Sequence, residues 1–148
     1  MARFLFSLQN ILEMKEKLET QAKNEYAQAN ARLLQEQEKL QILQNRLEDN
    51  NACLKGKLQE KLTVLLIRKL EQNSEILEKY IELQKIAIVR CEAEVEQARR
   101  KLTEAMKERK IFEKLREKAW EKFKKEELQE EQKEVDELVS YTYSKERI

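Results

Sequence analysis

An apolar row steps by seven along the first third of the chain: Leu5, Leu12, Tyr26, Leu33, Leu40, Leu47 and Leu54, with Glu19 in the same row. A companion row offset by three holds Leu8, Ala22, Ala29 and Leu43. Two apolar rows per heptad make one narrow stripe on a helix, which is the pattern of a coiled-coil seam. The spacing predicts a first helix over residues 4–49. Lys15, Glu19 and Glu36 interrupt the stripe, and Ile11 and Leu18 widen it near the start. Each seam leucine buried against a partner contributes roughly 1.5–3 kcal/mol before entropy is counted.

The stripe weakens at Asp49-Asn50-Asn51 and then meets Lys55-Gly56-Lys57. Asn and Gly leave the right-handed helical basin most readily, so residues 50–74 read as the connection. Leu58, Leu62, Leu65, Leu66 and Leu70 could form a short helix within it. Asn73-Ser74-Glu75 offers an N-cap for a second long helix over residues 75–139, leaving 140–148 as a frayed tail. The second stripe reads Ile76, Tyr80, Leu83, Ala87, Cys91, Val95, Ala98, Leu102, Ala105, Phe112, Leu115, Ala119 and Phe123. Two such helices joined by one loose middle hide their stripes by folding back on each other. The expected fold is therefore all-α, a long antiparallel two-helix coiled-coil hairpin forming one domain. Its first arm would reach ~75 Å at 1.5 Å per residue. A straight single helix and a parallel dimer are the competing arrangements.

Composition supports helix and removes much chemistry. Charged residues make up 40% of the 148, against a usual ~25%, with one glycine and no proline or histidine. A sheet fold needs turn residues far more often than this. Without histidine there is no Ser-His or Cys-His pair and no His-ligated zinc, and one glycine cannot build a phosphate loop. No catalytic residue, cofactor or metal is expected. Cys53 and Cys91 read as reduced, buried small hydrophobes. The longest apolar stretch, Leu62 to Ile67, falls far short of the ~20 residues that span a bilayer. No signal peptide is legible at Met1–Phe6, which suggests a cytoplasmic protein.

Net charge is +1, yet the second arm is polarised. Residues 99–125 hold twelve basic and five acidic side chains, and residues 126–137 hold seven acidic and one basic. Lys110, Lys114, Lys118 and Lys122 form an i+4 row with Glu113, Glu117 and Glu121 beside it. A solvated, self-paired helix face explains this row. So does a contact surface for an acidic protein partner, whereas nucleic acid lacks supporting aromatic interleaving or a recognition motif.

Three blocks carry a resemblance to a known family. They are Arg3-Phe4-Leu5-Phe6-Ser7-Leu8-Gln9 with Leu12, Lys15-Glu16-Lys17-Leu18-Glu19 and Lys23-Asn24-Glu25; Lys107-Glu108-Arg109-Lys110-Ile111-Phe112-Glu113-Lys114-Leu115-Arg116-Glu117-Lys118; and Glu131-Gln132-Lys133-Glu134-Val135-Asp136-Glu137-Leu138-Val139-Ser140-Tyr141. Their order and spacing resemble the flagellar export protein FliJ. That resemblance implies a non-enzymatic component of the flagellar type III export apparatus, similar to the central stalk of rotary ATPases. It also implies three partners: the hexameric export ATPase, the cytoplasmic domain of the membrane export gate, and export chaperones, whose cycling it assists. Its place would be the cytoplasm, peripheral on the membrane face at the flagellar base, without membrane insertion or nucleic acid. On the matching positions, Phe4, Phe6, Leu8, Arg109, Lys110, Lys114, Arg116, Lys118 and Trp120 become ATPase-contact candidates. Tyr80, Leu83 and Gln84 become export-gate candidates. In a hairpin the termini lie together, so Phe4, Phe6, Leu8 and Ile11 should neighbour residues 119–123. A generic coiled-coil tether and a rotary-ATPase stalk subunit remain alternatives, although residues 50–74 are too few for the globular domain such subunits insert.

Overall fold

The structure, a computed structural model, describes residues 3–59 and 64–146. Two α-helices account for nearly all of them: α1 over Gln9–Gln59, of 51 residues, and α2 over Val64–Glu146, of 83. Together they form an antiparallel helical hairpin, the expected architecture. The chain divides into two compact units. One comprises residues 1–20 with 103–148, and the other residues 21–102.

In the first unit Gln9 meets Arg116 and Lys15 meets Glu108, so ascending numbers on α1 face descending numbers on α2. The second unit repeats this pattern, with Glu36 opposite Gln84 and Asn50 opposite Ser74. The stripe predicted for α1 is the buried one. Leu12, Glu19, Ala22 and Ala29 are buried, and Tyr26, Leu33, Leu40, Leu43, Leu47 and Leu54 are half-buried. Leu5 is the exception at 80% exposed, because α1 starts only at Gln9 and residues 3–8 are non-helical. A turn closes there, with the Gln9 amide donating to the Phe6 carbonyl at 3.1 Å. Ile11 and Leu18 stay exposed and do not widen the packed stripe.

On α2 the seam differs from the expected stripe in its first third. Leu77, Ile81, Gln84 and Ile88 face α1, while Ile76, Tyr80 and Leu83 are 50–62% exposed. Apolar residues occupy two adjacent registers here, and the α1 side chains opposite select one. From Cys91 to Phe123 the expected residues do face the seam, except Leu115, which is exposed.

The connection expected at 50–74 is also much shorter. Residues 50–59 continue α1 and 64–74 belong to α2; the part at 60–63, including Leu62, lies outside the described residues. Gly56 sits inside α1 with open space where a Cβ would stand, so it makes no turn. Ser74 does not cap a helix. Its hydroxyl accepts from Asn50 Nδ2 at 2.7 Å and donates to Asn51 Oδ1 at 2.9 Å, in the interior of α2. Of the expected separate helix at 58–70, residues 58–59 end α1 and 64–70 begin α2, with Leu65 exposed and Leu66 and Leu70 half-buried. At the other end, residues 140–146 are helical rather than frayed, and 147–148 lie outside the described residues. Cys53 is exposed and Cys91 half-buried, so neither is the buried hydrophobe expected of it.

Candidate functional site

The features of interest are surfaces. The first lies where the chain start returns to α2. Because residues 3–8 are not helical, Phe4 can turn onto α2, where its ring meets Trp120 edge-on at 5.0 Å and Phe123 at 5.4 Å. Trp120 and Phe123 stack at 5.8 Å. Cations border this cluster, with Arg116 over the Phe4 ring at 5.9 Å and Lys124 over Trp120 at 5.2 Å. Aromatic faces attract such cations through their quadrupole, most strongly where water is excluded. Trp120 packs against Phe4 and remains 40% exposed. Phe6 and Leu8 are half-buried.

The basic candidates separate into two groups. Arg109 lies in the seam and pairs with buried Glu19 and, at 2.7 Å, with Glu113. These hydrogen bonds, Glu113 first, hold its guanidinium pKa above the ordinary arginine value. Arg116 donates to Gln9 Oε1 at 3.1 Å. Both arginines are therefore occupied in holding the hairpin together. Lys110, Lys114 and Lys118 are exposed on the face of α2 turned away from the seam.

The second surface is an exposed apolar patch on α2 in the other unit. Ile76, Tyr80 and Leu83 stand on one side of the helix, with Ile86 and Val89 extending it, and Glu75, Glu78, Lys79 and Glu82 around it. Ile86 and Val89 were not singled out from sequence, although both fall outside the heptad rows, which is the available signal. Gln84 belongs elsewhere. Its amide points into the seam, donating to the Glu36 carbonyl at 2.8 Å and carboxylate at 2.5 Å. Among the described residues no group of side chains is placed to hold a metal ion, and no helix is long and apolar enough to cross a membrane.

These features define a class first: an antiparallel coiled-coil hairpin with an aromatic cluster, a row of exposed lysines and an exposed apolar patch on α2. The chain belongs to the FliJ family, described as flagellar FliJ protein, whose pattern matches residues 4–147. Membership makes it a component of a flagellar or type III export apparatus. No curated protein matches the chain in sequence. Among solved structures, a protein described as a YscO homolog, CT670 of Chlamydia trachomatis, shares the fold with a TM-score of 0.65. The two are 23% identical, over 97% of this chain and 96% of the other.

Proposed function

We propose that this protein is a stalk-like coiled coil of flagellar export that binds and stimulates the hexameric export ATPase through the end bearing Phe4 and Trp120. The observation that carries the reading is the juxtaposition at that end. A half-exposed tryptophan, a favoured anchor in protein interfaces, sits on the same helix as three exposed lysines one turn apart, within a family of export components. Arg109 and Arg116, tied up internally, support the surface, and Lys110, Lys114 and Lys118 meet the partner. A two-helix stalk resists bending because its seam must shear, which suits it to link ATP-driven subunit changes to a second contact. That contact is the cytoplasmic domain of the export gate, met by Tyr80 and Leu83 together with Ile86. Gln84 serves it only by holding the seam. Assistance to export chaperones at the cytoplasmic membrane face completes the role.

The decisive experiment measures ATP hydrolysis by the hexameric export ATPase with and without this protein. Lys110→Glu/Lys114→Glu/Lys118→Glu should abolish stimulation while circular dichroism shows unchanged helicity. Undiminished stimulation would remove these lysines from the contact. For the gate, Tyr80→Ala/Leu83→Ala should lose capture by its cytoplasmic domain, and full retention would reject that assignment.

A further inference from the structure

The chain start departs from its own heptad. Leu5 stands seven residues before Leu12, and α1 extended through residues 4–8 would put it on the seam side. Instead residues 3–8 are non-helical, Leu5 is 80% exposed, and the ring that packs on α2 is that of Phe4. The backbone bonds of this stretch lie behind Phe4. They run from the Gln9 amide to the Phe6 carbonyl at 3.1 Å and from the Leu12 amide to the Leu8 carbonyl at 3.0 Å. Among the described residues, the contacts that hold residues 3–5 on α2 are those of the Phe4 ring, with Trp120, Phe123 and Arg116.

The seat of Phe4 is built by α2 alone. Trp120 and Phe123 stack with their planes 25° apart, and Phe4 meets Trp120 at 75°, the edge-to-face geometry that aromatic quadrupoles favour. Charges beside the seat are mixed, Arg116 and Lys124 against Glu113 and Glu117, so the site selects a ring rather than a net charge. We propose that Trp120 and Phe123 form a receptor for one aromatic side chain, which Phe4 occupies as a removable cover. A protein partner docks by seating an aromatic ring of its own in place of Phe4. Two observations support the exchange. Trp120 is 40% exposed with Phe4 seated, so an incoming ring gains contact before Phe4 has left. The released segment also has a second packed arrangement, a helical one with Leu5 in the seam row. That the partner is the export ATPase rests on the proposed function; the receptor and its cover do not. An occupied receptor weakens the apparent affinity of a partner by the fraction of time it stands uncovered, about tenfold for a cover closed nine times in ten.

Trp120 is the only tryptophan of the chain, so its fluorescence reads the receptor in the full-length protein without any ATPase. Phe4→Ala should shift the emission to the red and increase quenching by acrylamide, whereas Phe4→Tyr should keep the wild-type signal. A synthetic peptide of residues 3–8, added to the Phe4→Ala protein, should restore both readings. The same peptide with alanine in the Phe4 position should not. Emission and quenching unchanged by Phe4→Ala would overturn the cover, and failure of the peptide to restore them would overturn the receptor. Titration of the hexameric export ATPase then tests the exchange, with Phe4→Ala binding more tightly than wild type. Equal or weaker binding by the variant would overturn the exchange. An ATPase that binds neither protein would instead reject the proposed function, and the fluorescence would still decide the receptor and its cover.

Discussion

Buried Glu19 shows how single residues here serve structure before chemistry. It occupies a leucine position of the heptad, and Arg109 from α2 neutralises it where water is scarce. Losing either partner would leave a charge uncompensated, a greater cost than never having placed the pair there. Glu36 is a second case. The hydrogen bond from Gln84, then that from Lys39, holds its carboxyl pKa below the ordinary 4.5. A depressed carboxyl stabilises the fold above its unfolded value and loses that contribution as pH falls through the folded one. Thermal melts should therefore weaken below about pH 4.5, and Glu36→Gln should flatten that part of the profile; identical profiles would exclude Glu36 as the cause. Gly56 gives the converse lesson. It lies in a helix with space for a methyl group, so Gly56→Ala should stabilise the protein by about 0.5–1 kcal/mol, read from urea unfolding. A loss of stability would show that the position is not helical in solution.

At the scale of the elements, each polar interruption of the α1 seam meets a polar partner on α2. Lys15 bonds Glu108 at 2.8 Å, Glu19 pairs with Arg109, Glu36 receives Gln84, and Asn50 reaches both Ser74 and the Leu70 carbonyl at 2.9 Å. An all-leucine seam slides by a heptad at little cost, whereas a polar side chain shifted by seven would face leucine. Such residues specify register at some expense of stability. Asn50→Ala removes two hydrogen bonds and should cost about 1–2 kcal/mol in denaturant unfolding, while the seam elsewhere keeps its pairing. No measurable change would mean this layer does not fix the register.

For the whole molecule, the packed seam and the exposed end of α2 make opposite dynamic demands. Amides of Leu12 to Ala29 lie under packed side chains, whereas residues 128–146 form a helix that is exposed throughout. Helices of this length are marginal alone in water, so hydrogen exchange should be fastest at 128–146 and should slow when a partner covers it. Uniform protection along α2 would contradict the assignment. A surface of this kind suits a component whose work is binding, since exposed helix faces can be covered and released without disturbing the seam.

The heptad rows and the near absence of turn residues determined the helical class, and three blocks at the two ends pointed to the family, because such patterns are written in local spacing. The α1 seam was legible for the same reason: one apolar stripe runs its length, and the apolar residues off it, such as Ile11 and Leu18, do not form a second continuous one. At residues 76–89 two registers are apolar, and only the opposing α1 side chains decided that Ile81 and Ile88 go inside while Tyr80 and Leu83 stay out. Asn50, Asn51 and Ser74 looked like turn and cap residues by their local preferences. Tertiary pairing across the seam made them the interior of two helices, because hydrogen bonds between the helices satisfy side chains that would otherwise compete with their own backbone.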